Sequence, residues 1–263
     1  MAAGPEAALR RVAAWRPHLA VVYGSGLWAL PGGGRVVDEV PYDALGWPSG
    51  SVPGHPNVLR LATVPAAGGR ELRLALACGR PHRYEGWSDG ELEAPVRALA
   101  AAGVSRLVLT NSCGALRPDA AVGLAVVCST VVDLQRPPDG VAPEILRLCA
   151  EAEAARVVEA LGEDAAPGAG AYVSVCGPQF ETPAEVAWLA GYGDVVGMSA
   201  APEARAAGAT GIECCLLALV ANVAAAVGSH DDVLAAGGRL AGLLAAGLTR
   251  AAFARWPDLF EVV

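Results

Sequence analysis

Leu19-Ala20-Val21-Val22-Tyr23-Gly24-Ser25-Gly26 is a five-residue apolar run that stops at a Gly-Ser-Gly turn, the pattern of a buried strand entering a tight bend. The same shape recurs. Residues 59–64, 72–78, 106–110, 124–133, 171–176, 195–198 and 214–222 are β-rich or continuously apolar and bounded by turn residues. Between them the spacing predicts helices over 89–102, 143–161, 183–192, 202–210 and a closing helix from 231 to about 255. Buried strands alternating with amphipathic helices imply an α/β fold, a mixed sheet wrapped by helices, with its chemistry on the loops at strand ends. Residues 137–140 and 162–170 read as surface loops and neither marks a boundary, so one domain over 1–263 is expected.

Composition removes several classes of function. Hydrophobic residues make up 54% of the 263, yet no uninterrupted apolar run reaches the roughly 18 residues of a membrane span. Glu6, Arg10, Arg11 and Arg16 punctuate an Ala-rich amphipathic start that lacks the apolar centre of a secretory signal, so cytoplasm is the expected location. The seven cysteines are odd in number, form no C-x-x-C pair and mostly sit in apolar runs. Reduced thiols fit better than disulfides or a metal site. A net charge of -8 with no basic cluster in the sequence argues against nucleic acid. All 19 basic residues counted as Lys+Arg are arginines, which excludes a Schiff-base lysine and a P-loop lysine.

Four segments carry candidate chemistry. The glycines of Gly24-Ser25-Gly26 let backbone N–H groups converge on an anion, with the Ser25 hydroxyl as a further donor. Gly24 to Ala29 also satisfies the dinucleotide pattern G-x-G-x-x-A, although Leu30-Pro31-Gly32-Gly33-Gly34 would break the helix such a site requires. Gly79-Arg80-Pro81-His82 follows a strand and sets a guanidinium fork and an imidazole at alternate positions, a pairing suited to a phosphate dianion or to a basic surface loop. Val52-Pro53-Gly54-His55 adds another imidazole-bearing turn. Phe180-Glu181-Thr182-Pro183 offers an aromatic plate beside a carboxylate, as a stacked base needs, and is equally a helix entry. Asn222 closes a long apolar run and needs a hydrogen-bond partner.

Seven motifs, in order and spacing, resemble the trimeric purine nucleoside phosphorylases: Gly24-Ser25-Gly26-Leu27, Val52-Pro53-Gly54-His55, Gly79-Arg80-Pro81-His82-Arg83-Tyr84-Glu85-Gly86, Thr110-Asn111-Ser112-Cys113-Gly114-Ala115-Leu116, Gly177-Pro178-Gln179-Phe180-Glu181-Thr182, Gly197-Met198-Ser199 with Pro202-Glu203, and His230-Asp231-Asp232-Val233-Leu234. The resemblance implies a partly barrel-like central sheet and phosphorolysis of a 6-oxopurine (deoxy)nucleoside to free base and pentose 1-phosphate. It implies a phosphate site at Ser25, Arg80, His82, Ser199 and the backbone N–H of Ser112, with His55 nearby on the ribose side. Tyr84 and Met198 would meet the ribose, His230 its 5′-hydroxyl, Phe180 the purine face, Glu181 the N1 edge and Asn222 the N7/O6 edge, with Glu85 orienting Asn222. His82, Glu181 and Asn222 would carry catalysis. Phosphate is a co-substrate, no cofactor is implied, and the expected assembly is a homotrimer.

The chain also departs from that family. Ala221 and Val223 flank Asn222 where polar residues are common, the 132–144 stretch is short and lacks an aromatic, and Ser112-Cys113 replace two small apolar residues. Two further readings therefore stand beside the first: a specialised phosphorylase for a modified or 5′-substituted purine nucleoside of methylthioadenosine type, and a non-catalytic nucleoside or phosphate binder.

Overall fold

The computed structural model describes residues 4–25, 27, 30–66, 69–136, 142–224 and 230–259, with the helical backbone alone over 230–239. In chain order the first half forms α1 (Pro5–Trp15), β1 (Leu19–Tyr23), β2 (Arg35–Pro41), α2 (Tyr42–Leu45), β3 (Val58–Pro65), β4 (Glu71–Cys78), α3 (Asp89–Ala101) and β5 (Arg106–Ala115). The second half forms β6 (Ala125–Asp133), β7 (Glu144–Arg147), α4 (Glu151–Leu161), β8 (Gly170–Ser174), α5 (Pro183–Leu189), β9 (Val195–Gly197), α6 (Ala201–Thr210), β10 (Glu213–Val223) and α7 (His230–Arg255).

The sheet closes on itself through β5. That strand runs parallel to β10, β10 pairs antiparallel with β6, β6 runs parallel to β8, β8 to β9, and β9 returns antiparallel to β5. This five-strand ring is the barrel-like part. On the other side of β5 the sheet continues as β1, β4, β3 and β2, the last three joined antiparallel. Side chains alternate between two apolar layers, as a pleated strand requires. Leu107 and Leu109 pack with α1, α3 and α6 on one face, while Val108 packs with α4 and α7 on the other. Both faces are covered, which is why β1 and β5 read as unbroken apolar runs rather than alternating ones.

The mixed sheet and surrounding helices follow expectation; the 143–161 helix does not. Residues 144–147 instead form β7, antiparallel to β6, and α4 begins only at Glu151. Available ladder bonds on β6 override the helical propensity of Glu-Ile-Leu-Arg, and the strand leaves Ile145 exposed while turning Leu146 toward the core. β2 pairs with β3 at the sheet's solvent-facing edge, where Val40 is its buried residue. Among the described residues no helix is long and apolar enough to cross a membrane.

Parallel strands β1, β4, β5 and β10 all end on one side of the sheet, so their carboxyl-end loops share one region.

Candidate active site

That region is a solvent-open cleft of about 130 Å³. Ser25, Arg80, His82, Ser199, Phe180, Glu181 and Asn222 line it. Tyr84, Ser112 and Met198 line it as well. Residues as far apart as 25 and 222 are thus brought to one wall system by the strand order alone.

The anion end is organised around Arg80, which is 3% exposed. Its Nε donates to Glu203 Oε1 at 2.5 Å and one terminal nitrogen donates to the Thr110 carbonyl at 2.8 Å. The other terminal nitrogen is buried with no partner among the described residues. Gly79, which starts the loop, is anchored through its carbonyl by the Tyr42 hydroxyl at 2.9 Å. His55 is not in the cleft wall but behind it. Its Nδ1 accepts the Arg80 backbone N–H at 2.8 Å, so the ring proton sits on Nε2, which meets Ser25 Oγ at 2.9 Å. The Ser25 oxygen then accepts, and its own hydrogen is free to point at an anion. Gly24 is required by close approach: a Cβ there would stand 2.7 Å from the Asn111 Cα.

His82 is oriented by Glu85, whose Oε2 accepts the His82 backbone N–H at 2.6 Å and faces Nδ1 at 3.3 Å. The other Glu85 oxygen accepts from Ser51. Burial alone would raise the Glu85 carboxyl, but the hydrogen bonds from His82 and Ser51 outweigh it and hold the group at about 2. One oxygen is occupied within its own turn and the other by Ser51, so Glu85 orients His82 and Ser51, not Asn222. Tyr84 stacks on the His82 ring with centroids 5.0 Å apart. Just beyond β9 the Ser199 carbonyl accepts from Ser174 at 2.6 Å, its N–H donates to the Tyr172 hydroxyl, and its side chain meets the same hydroxyl.

The other end is more open. Phe180 is 37% exposed, and burial raises the Glu181 carboxyl above its ordinary value. Thr182 caps α5 through a reciprocal pair with Glu185, which sets the direction in which Phe180 and Glu181 leave the strand. Asn222 donates one amide hydrogen to the Val223 carbonyl at 3.2 Å and keeps the second. A register shift in β10 between Val220 and Asn222 turns that amide to the cleft. The His230 side chain lies outside the described residues.

Three polar residues without an assigned role in the sequence stand out. Glu203 enters beside Pro202 in the first turn of α6, where a carboxylate reads as a favourable N-terminal charge; nothing local shows that it turns inward to a guanidinium 123 positions away. Thr110 braces Gly24 and β1 through its hydroxyl. Asn111 is 2% exposed, and neither of its amide atoms has a partner among the described residues; the Ser112 hydroxyl is likewise buried and unpaired among them. Buried polar groups of this kind are rare without a ligand or water to meet them.

A model of the phosphorylase superfamily matches residues 48–252, well over half the chain. The chain belongs to that superfamily. It is 39% identical over 227 residues to a purine nucleoside phosphorylase of Mycobacterium tuberculosis, covering 83% of this chain and 82% of that protein. It is 37% identical over 254 residues to a purine nucleoside phosphorylase of Cellulomonas, covering 86% and 84%. Among solved structures, a Schistosoma purine nucleoside phosphorylase in complex with hypoxanthine superposes with a TM-score of 0.71 at 27% identity, over 95% of this chain and 98% of that one. These superfamily relatives are pentosyltransferases, and membership carries the chain into the same class of enzyme.

Proposed function

We propose that this chain is a purine nucleoside phosphorylase that converts a 6-oxopurine (deoxy)nucleoside and inorganic phosphate to free base and (deoxy)ribose 1-phosphate. The observation that carries the reading is one cleft in which the unpaired Arg80 nitrogen, the Ser25 and Ser199 hydroxyls and His82 converge across from Phe180, Glu181 and Asn222. Similarity to purine nucleoside phosphorylases over most of the chain supports it.

Phosphate enters at the anion end. Arg80, Ser25, Ser199 and the Ser112 backbone N–H orient it, His55 holds Ser25 in donating geometry, and His82 presents Nε2, the nitrogen opposite the one facing Glu85. The nucleoside ribose lies over Tyr84 and Met198, its 5′-hydroxyl is assigned to His230, and its base stacks on Phe180. A phosphate oxygen forms the new bond to C1′ as the bond to the purine nitrogen breaks, and that bonding pair leaves with the base. The sugar becomes cationic in the transition state and the bound phosphate stabilises it; the base becomes anionic, and the second Asn222 amide hydrogen stabilises it at N7. Glu181 accepts the N1–H of a 6-oxopurine. Phosphate itself is the nucleophile, so the proposed chemistry uses no cofactor.

The decisive assay measures base release from inosine, guanosine and methylthioadenosine with and without phosphate. Phosphate-dependent release from the first two is expected. Release without phosphate would make the chain a hydrolase, and binding without release would make it a non-catalytic binder. The apolar neighbours of Asn222, with Val223 55% exposed, favour a modified or 5′-substituted purine nucleoside as the second reading; turnover of methylthioadenosine alone would select it. A cytoplasmic homotrimer completes the proposal. Phe180 and Trp188, both exposed apolar side chains, are the surface we assign to subunit contact, and light scattering at a trimer mass is the expected result.

A further inference from the structure

The linear sequence contains no basic cluster, but the fold makes one at the opposite end of the sheet. His18 precedes β1, Arg73 lies near the start of β4 and Arg106 opens β5. The registers Leu19↔Leu74 and Ala20↔Leu107 set these residues side by side at the amino ends of three adjacent parallel strands. Arg16, at the end of α1, completes the group. The four line a surface pocket of about 580 Å³ together with Pro17, Gly103 and Ser105, and no acidic side chain lines it.

The donors are held and left available. His18 Nδ1 accepts the Arg73 backbone N–H at 3.1 Å, which puts the ring proton on Nε2. Arg73 Nε donates to the Arg16 carbonyl at 3.1 Å, fixing the plane of the guanidinium while both terminal nitrogens lack an acidic partner among the described residues. The exposed Arg16 side chain makes no ion pair among them either. Arg106 pairs with Asp258 through one nitrogen, and its Nε is buried without a partner. Burial first, then the charges of Arg73 and Arg106, hold His18 at about 4, so it is a neutral donor near pH 7. In a chain of net charge -8, three guanidiniums line one concavity, and Asp258 on Arg106 is their one carboxylate partner among the described residues, so like-charge repulsion favours a further anion there.

We propose that Arg16, His18, Arg73 and Arg106 form a second anion site, separate from the cleft, for a multiply charged phosphate compound of diphosphate type. Fixed guanidinium forks suit phosphoryl oxygens, and the pocket exceeds the volume of a single phosphate. The test is calorimetric titration of the phosphate-free protein with inorganic pyrophosphate. It is run in a Ser25→Ala, His82→Ala background, which strips two anion donors from the cleft and keeps the buried Arg80 ion pair. Binding should survive there, and Arg16→Gln and Arg73→Gln should each weaken it by about tenfold or more. Loss of all pyrophosphate binding in the background protein overturns the site, as does binding indifferent to either arginine variant. The Arg16 side chain is exposed, so that variant keeps the test open should Arg73→Gln fold poorly. The readout is binding away from the cleft, so its failure is distinct from failure of the phosphorylase reading.

Discussion

A guanidinium clamped in a buried ion pair cannot swing, and this decides what Arg80 can offer. With Nε on Glu203 and one terminal nitrogen on Thr110, a single terminal nitrogen is left without a partner among the described residues, already oriented before phosphate arrives. Glu203→Gln should therefore raise the KM for phosphate about tenfold or more while the nucleoside KM moves little, measured by initial rates with each substrate varied. It should also lower stability, by about 3 kcal/mol or more, because an unpaired charge stays buried. Arg80→Lys should be no rescue, since an ammonium cannot satisfy the pair and the carbonyl together. The two carboxylates near the substrates separate by pH. Glu85 keeps its hold on His82 at every pH above the ordinary carboxylate value of about 4.3 and loses it only as pH falls toward about 2. Glu181 is raised by burial, so it takes a proton first as pH falls from neutral and can then no longer accept from N1–H. We expect an acid limb in kcat/KM for inosine above the ordinary carboxylate range, absent in Glu181→Gln; a limb that survives this substitution would assign it elsewhere.

Elements place these residues, and the placement was only partly legible from sequence. Strands β1, β4, β5 and β10 were legible because burial on both faces leaves an unbroken apolar run, and their carboxyl ends carried Ser25, Arg80, Ser112 and Asn222 as expected. β7 was not, since Glu-Ile-Leu-Arg suits a helix until β6 offers its ladder. The resemblance implies that Glu85 orients Asn222, and spacing cannot show that the carboxylate instead folds back three residues onto His82. Glu203 escaped for the opposite reason, a partner 123 positions distant. The Thr182 cap shows an element acting on the site without touching substrate. Thr182→Ala removes the hydroxyl that accepts the Glu185 backbone N–H and donates to its carboxylate at the start of α5, and should cost about 1 kcal/mol. Because α5 fixes where the Phe180-Glu181 segment points, the nucleoside KM should rise while the phosphate KM stays put. An equal rise in both would mean a general loss of folded enzyme instead.

At the scale of the molecule, β5 belongs both to the closed ring and to the open extension, so the cleft is a seam between them. Ser25, His55, Arg80 and His82 come from the extension; Ser199, Glu203, Phe180, Glu181 and Asn222 come from segments attached to the ring. Phosphate would be gripped from both sides, whereas a purine base would be gripped from the ring side alone. Any ligand stabilises the state that binds it, by about 2.7 kcal/mol at a hundredfold excess over Kd, so equal saturation with phosphate or hypoxanthine should raise global stability equally. The pattern of local opening should differ. Amide exchange by mass spectrometry should show phosphate slowing the segments around 24–25, 79–82 and 198–203 together, on both sides of the seam, because releasing either side releases the ligand. Hypoxanthine should slow the segments around 178–182 and 222 and leave 79–82 unchanged. Protection by phosphate confined to one side would mean that Arg80 and Ser199 do not hold the same anion, and the cleft would then be two neighbouring sites rather than one.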